Sequence, residues 1–244
     1  MKAMIFAAGL GTRLRPLTDS IPKALVPVRG VPMLERVICR LRDGGLSEFV
    51  VNASYLSGQI LEFFGSRDLG VRVEVSLEEE PLETGGGIKK ASSLLAGAGR
   101  ILIHNADILS DLDVRWLIRQ DRALSEKDGA AATLLLTDGE ADRYLLFDEN
   151  MHLAGWTNVR TGEIKSPYPD FDPAAYRRFS FCGIHIISET ILPLMEEWPD
   201  KFSIIDFYLR TCASLPVCGV VADNLHLIDI GSPEKLAEAE ASTI

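Results

Sequence analysis

No apolar run in the 244 residues approaches the ~20 that a membrane-spanning helix needs, so no membrane partner is expected. The stretch before Arg13 holds one lysine and a short apolar segment, too brief and too soon charged for a secretory signal; a cytoplasmic protein is expected. Cysteine is scarce. Cys39, Cys182, Cys212 and Cys218 show no C-x-x-C spacing, which argues against a zinc knuckle or a redox pair and for buried free thiols. The four histidines, His104, His152, His185 and His226, also lack metal-ligand spacing and read as structural. The G-x-x-x-x-G-K-[ST] loop of kinases and GTPases is missing, as are internal repeats and low-complexity tracts.

An excess of basic residues is missing too: the net charge is −10. It is unevenly spread, because residues 1–42 hold eight Lys/Arg against Asp19 and Glu35, a local +6, and the remainder carries −16. An acidic body disfavours nucleic acid, whose binding feeds on clustered cations, whereas a local positive region can focus a small anion such as a nucleotide.

What the chain does have is a core-forming composition, 47% hydrophobic, at a length that suits one α/β domain. An apolar strand, Met4 to Ala8, runs into Gly9-Leu10-Gly11-Thr12-Arg13-Leu14-Arg15-Pro16-Leu17 and then Pro22-Lys23-Ala24-Leu25-Val26-Pro27. Glycines at 9 and 11 allow positive φ and close approach of backbone amides to phosphate oxygens. Arg13 adds a planar fork of donors and Lys23 a mobile point charge, a pairing suited to polyphosphate. The dinucleotide fingerprint fails here, because its third glycine would fall at Leu14 and the second strand ends in Asn52 rather than an acid.

Further on, Leu34, Val37, Ile38 and Leu41 predict a helix from about Pro32 to Gly44-Gly45. Strands are expected over Glu48–Ala53, the alternating Val71, Val73 and Val75, and Arg100–His104. Helices are expected around Leu56, Ile60, Phe63 and Phe64, and around Val114, Leu117 and Ile118. Pro81 to Gly87 reads as a second glycine-rich loop that opens a helix through Ile88, Ala91 and Leu95. Alternating strands and helices indicate a doubly wound, mostly parallel Rossmann-like sheet, with ligands beyond the carboxyl ends of its strands. The first loop, the second glycine cluster and Asp107 each follow a strand and should meet at one edge. The second half reads as strands over Thr133–Leu136, Tyr144–Phe147, Leu153–Trp156 and Phe179–Ile187, a small mixed β extension facing the substrate. A proline- and charge-rich insert spans Lys165 to Arg178. A helix over Ile204–Leu209, strands over Val217–Val221 and His226–Ile230, and a last helix capped by Ser232-Pro233-Glu234 complete the chain.

The segment from Gly9 to Pro27 resembles the opening motif of the sugar-1-phosphate nucleotidyltransferases, G-x-G-T-R-x-x-P-L-T followed by P-K-x-L-x-P, and nearly every position matches. Asp107, in Asn105-Ala106-Asp107, and Asp229, in Leu227-Ile228-Asp229-Ile230-Gly231-Ser232, resemble that family's metal-binding aspartates. Taken singly, each would read as a turn residue or cap. The resemblance implies a single nucleotidyltransferase domain over 1–244, with a nucleotide-binding half to 125 and a sugar-phosphate-facing half from 126. It implies attack by a sugar-1-phosphate oxygen on the α-phosphorus of a nucleoside triphosphate, with Mg²⁺ on Asp107 and Asp229, since that ion typically takes one or two carboxylates plus phosphate. Arg13 would face the β/γ-phosphates and Lys23 the α-phosphate. Ala8, Gly9, Gly11, Thr12, Glu80, Gly85 and Asn105 would bind the nucleotide, with Glu78, Leu82 and Glu83 as further candidates beside the base.

The run Pro-Leu-Glu-Thr-Gly-Gly-Gly and the helix from Pro233 to Glu240 are similar to the N-acetylmuramate-1-phosphate uridylyltransferase branch, which points to UTP; mannose-1-phosphate guanylyltransferase and phosphocholine cytidylyltransferase stay open. So do a homo-oligomer and, in another class, a catalytically silent nucleotide-binding regulatory subunit. Trp156-Thr157-Asn158 stands where many relatives carry E-K-P, and Phe181-Cys182-Gly183 where N-x-G is usual. The acetyltransferase extension of longer relatives is not in this sequence, so a second activity is not expected.

Overall fold

The structure is a computed structural model that describes residues Met1–Ile244. In chain order the elements begin β1 (Lys2–Phe6), β2 (Pro27–Val28), β3 (Val31–Pro32), α1 (Met33–Asp43), β4 (Glu48–Ala53), α2 (Ser57–Ser66) and β5 (Arg72–Leu77). Next come α3 (Glu83–Lys90), α4 (Ser92–Leu95), β6 (Arg100–Asn105), β7 (Ile108–Ser110), α5 (Val114–Asp128), β8 (Ala132–Thr137), β9 (Arg143–Phe147) and β10 (Leu153–Asn158). The chain closes with β11 (Glu163–Lys165), β12 (Arg177–Ser188), α6 (Ile204–Thr211), β13 (Val217–Val221), β14 (Leu227–Asp229) and α7 (Pro233–Ala241).

The first half forms a four-stranded parallel block of the central sheet, in the order β6-β1-β4-β5, and β13 adds a second parallel pairing, against β8. The centres of β1, β4 and β6 are apolar and buried, as expected where helices cover both faces, whereas the edge strand β5 alternates polar and apolar residues. Side chains alternate between faces: Met4, Val50, Ile101 and Ile103 join one buried cluster with Phe207 and Tyr208 of α6, while Ala3, Ile5, Val51 and Leu102 join another with Leu34, Ile38 and Leu41 of α1.

β12 ties this parallel block to the antiparallel half. Its distal part, Ile184 to Ser188, pairs with β6, and its start, Arg177 to Phe179, pairs with β9, which continues through β10 to β11. The register against β8 shifts between Phe181 and His185, and Gly183 within that gap has φ +72°. A residue with Cβ is strained at such a φ and would here also overlap the Asn105 amide, so the bulge depends on glycine.

The second glycine cluster departs from expectation. Thr84 to Gly87 lie inside α3, not in a loop before it. The glycines serve close packing: a Cβ on Gly85 would overlap the Phe202 ring, and one on Gly86 the Asp200 carbonyl oxygen. β7 was also unforeseen, being three residues long. In the first loop only Gly11 has positive φ, +61°; Gly9 does not.

Candidate active site

Asp107 and Asp229 are far apart in sequence, and two very short strands bring them together. β14 pairs antiparallel with β7 so that Asp229 faces Ile108, and the Ile230 N–H donates to Asp107 O at 3.0 Å. Asp111 locks the other end of this ribbon: its Oδ1 accepts from the His226 backbone N–H at 3.0 Å, and its Oδ2 lies 2.9 Å from His226 Nδ1. Both carboxylates therefore sit at the carboxyl edge of β6, next to the loop that follows β1.

That loop supplies the cations. The Lys23 ammonium forms an ion pair with Asp107 and lies 3.7 Å from Asp229 Oδ1; its side chain is 13% exposed. Arg13 follows Gly11 in a 3₁₀ turn, and its guanidinium lies across Gly231, where an added Cβ would overlap it and stand 2.9 Å from Asp229 Oδ1. Gly11 cannot be larger, since a Cβ there would meet Thr18 Cγ2 at 2.9 Å and Lys23 Cβ at 3.0 Å. Thr18, buried, donates its hydroxyl to Gly11 O at 2.8 Å and so fixes the loop. Burial and the neighbouring Asp107 hold the Asp229 carboxyl above the usual carboxylate range, against the opposing pull of Lys23 and Arg13.

Asp229 lies on the rim of two clefts. One, of about 1070 Å³, is lined by Phe6, Thr84, Asn105, Phe181 and His185; the other, of about 1130 Å³, by Arg13, Arg143, Trp156, Lys165 and Asp206. Asn105 faces the first, held against Gly183. The cleft residues Trp156 and Lys165 come from the antiparallel half. Lys165 Nζ sits 5.2 Å over the Trp156 ring and 3.2 Å from Asp206 Oδ1.

The nucleotide-facing expectations fare unevenly. Ala8 is buried at the start of the loop, Gly11 is half-buried, and Gly9 and Thr12 are exposed. Glu80 is exposed in the bend after β5 and lines neither cleft. The Gly85 and Gly86 amides, expected as donors, are already used: both point to Phe202 O, at 2.9 and 3.2 Å. Glu78 is equally committed. Its buried carboxylate accepts from Asn52 Nδ2 at 2.7 Å and from the Leu82 N–H at 3.0 Å, while Asn52 Oδ1 accepts from the Ala7 N–H at 2.8 Å. Asn52 and Glu78 thus tie the end of β1 to the segment that opens α3. Reading the sequence gave Asn52 no role, although a buried amide closing the apolar run Phe49-Val50-Val51 is the kind of residue that needs a partner.

A fold that presents an arginine, a lysine and two carboxylates beside large polar clefts at the edge of a parallel sheet is built to handle nucleotide phosphates. The family model described as nucleotidyl transferase matches residues 2–148. The N-acetylmuramate α-1-phosphate uridylyltransferase of Caulobacter vibrioides is 31% identical over 98% of this chain and 95% of that protein. A D-glycero-α-D-manno-heptose 1-phosphate guanylyltransferase of Campylobacter jejuni is 29% identical over 96% of both. The crystal structure of HddC from Yersinia pseudotuberculosis, complexed with GMP-PN, superimposes with a TM-score of 0.72 at 25% identity, covering 98% of this chain and 97% of that one. The chain belongs to the sugar-1-phosphate nucleotidyltransferase family and is an enzyme of that class.

Proposed function

We propose that the protein joins UTP to an N-acetylmuramic acid 1-phosphate-like sugar phosphate, releasing pyrophosphate, in a Mg²⁺-dependent reaction. The observation that carries the reading is the convergence of Arg13, Lys23, Asp107 and Asp229 at one cleft edge. The uridylyl assignment is supported by the full-length likeness to the Caulobacter uridylyltransferase.

The carboxylate pair fits a hard divalent cation: it offers oxygen donors only, and the Lys23 ammonium within reach of both acids shows that a positive charge is accommodated there. When bound, Mg²⁺ would supply charge neutralisation for the phosphate oxygens. The chain's own residues do the rest. In this reading Arg13 binds the β/γ-phosphates and stabilises the departing pyrophosphate, and Lys23 binds the α-phosphate and the sugar phosphate. An oxygen of the sugar 1-phosphate forms the new bond to the α-phosphorus as the bond to the bridging oxygen of pyrophosphate breaks. The attacking phosphate is already anionic, so no general base is required, and catalysis rests on alignment and electrostatics. The antiparallel half, with Trp156, Lys165 and Arg143 along its cleft, faces the sugar.

A panel pairing UTP, GTP, CTP and dTTP with N-acetylmuramate, mannose and heptose 1-phosphates and with phosphocholine, read by pyrophosphate release, tests the assignment. UTP with N-acetylmuramate 1-phosphate is expected to give the highest kcat/KM. A preference for GTP with a neutral sugar would replace the substrate assignment, and no release with any pair would overturn the reaction.

A further inference from the structure

Outside both clefts, three residues from distant parts of the sequence come together: Asp128 at the end of α5, His152 in the turn before β10 and Cys218 in β13. An isolated bridge sets His152 against Cys218. One ligating atom from each, a carboxylate oxygen, a ring nitrogen and a thiol sulfur, lies within 4.8 Å of the others. Cys218 is fully buried. Asp128 Oδ2 and His152 Nε2 are both buried and neither has a hydrogen-bond partner.

Buried polar atoms are normally paired, so two unpaired ones on residues clustered with a buried thiol call for an explanation. The only charge close to this carboxylate oxygen is Lys127 Nζ at 3.5 Å, on a side chain 75% exposed, a contact that solvent screens. On the far side of the imidazole, Asp148 Oδ2 lies 3.7 Å from Nδ1, while Asp148 Oδ1 is fixed by accepting from the Asn150 and His152 backbone N–H groups at 2.9 and 2.8 Å. A carboxylate behind a histidine whose other nitrogen faces further ligands is the arrangement that orients metal-binding imidazoles.

We propose that Asp128, His152 and Cys218 form a binding site for a divalent cation of borderline softness, with Zn²⁺ the best match, distinct from the Asp107 and Asp229 pair. Nitrogen, sulfur and oxygen donors together select such an ion over Mg²⁺. Zinc bonds of about 2.0–2.3 Å place tetrahedral ligands roughly 3.3–3.8 Å apart, so the three atoms must close by about 1 Å, within the reach of side-chain rotation. The thiol loses its proton on binding. The fourth position is left to water or a solute, supplied through the neighbouring cleft of about 280 Å³ that Asp148 and His152 line. The bound ion would clamp α5, the β9–β10 turn and β13.

The test uses the full chain carrying Asp107→Asn and Asp229→Asn, which removes the other carboxylate pair, stripped of metal and titrated with Zn²⁺ and Co²⁺. One equivalent of Zn²⁺ per chain is expected, with His152→Gln and Cys218→Ser each weakening it at least ~10-fold. The Co²⁺ form should show thiolate-to-metal charge transfer and tetrahedral ligand-field bands, both lost in Cys218→Ser. Far-UV circular dichroism verifies folding, and the half-exposed His152 gives a variant that leaves the core untouched. Absence of stoichiometric binding, or binding unchanged in His152→Gln with no thiolate band, would overturn the site.

Discussion

The two acids of the proposed active site come from halves built on different principles. Asp107 lies two residues past the end of β6, the strand that pairs parallel with β1 on one side and antiparallel with β12 on the other, and its place follows from the sheet itself. Asp229 ends β14, which exists only as half of a two-stranded ribbon with β7 and owes its position to the Ile230 and Asp111 hydrogen bonds. The parallel half thus carries fixed chemistry, a cationic loop and a rigid acid, while the other half brings a second acid and a cleft to it. Their difference shows why variants in the two halves should fail in different ways.

The largest effect is expected in the rigid half. Asp107→Asn should lower kcat by ~10³-fold, the scale of losing a charged group aimed at a reacting phosphate, without loss of fold. Steady-state pyrophosphate release with circular dichroism checks both, and full activity would remove Asp107 from the chemistry. Where the halves join, Gly85→Ala should cost about 1–3 kcal/mol of stability, because the added methyl overlaps the Phe202 ring. Denaturant unfolding measures this, and an unchanged midpoint would contradict the packing role assigned to α3.

Acid should weaken the seam between the halves, β6 against β12. Burial pushes His104 down to about 4 and His185 down to about 3, with His185 lodged beside Phe181 and Tyr208 and lacking any hydrogen bond. The unfolded chain binds protons near pH 6.5 and the folded one only well below that. Stability is therefore intact above pH 6.5 and is lost as pH falls toward 4 and then 3, by about 2 kcal/mol per ring at pH 5. His185→Phe should remove one ring's share of that slope; a slope identical to wild type would contradict the neutral, buried assignment.

The smallest effect expected is also the most discriminating. Asn52→Asp sets two carboxylates face to face, and Glu78→Gln sets amide donors against the Leu82 N–H or Asn52, so each should cost about 1–2 kcal/mol and raise KM for the nucleotide several-fold. The double exchange restores every hydrogen bond, with donor and acceptor reversed only between residues 52 and 78 while the Ala7 and Leu82 N–H groups still donate, and should recover most of both losses. Equal KM for the sugar phosphate throughout would confine the network to the nucleotide side; additive losses in the double variant would contradict the hydrogen-bond account.

Much of the parallel half was legible in the sequence. The stripe of α1, the strand Glu48–Ala53 and the placement of Asp107 all follow from periodicity and turn chemistry. α3 was not, because a triple glycine reads locally as a loop. Its helix is held by Phe202, whose carbonyl oxygen takes the first amides and whose ring needs the missing Cβ, a partner more than a hundred residues away. The same holds for β7, too short to show a period, and for the Asp128, His152 and Cys218 cluster, which only the tertiary fold assembles, whereas β14 falls within the strand expected over His226–Ile230. Among candidate site residues, the cations and acids carried their signal in motif spacing. Glu78 and Gly85 are expected at the base only through the family resemblance of the second glycine cluster, and their polar groups serve the scaffold.

The proposed reaction needs one nucleotide-metal site built from both halves. Calorimetric titration of UTP into wild type, Asp107→Asn and Asp229→Asn, with and without Mg²⁺, tests it most directly. Mg²⁺ is expected to tighten UTP binding in wild type, with the gain lost in both variants. A gain of equal size in Asp229→Asn would show that the second half contributes no ligand and would contradict the shared site.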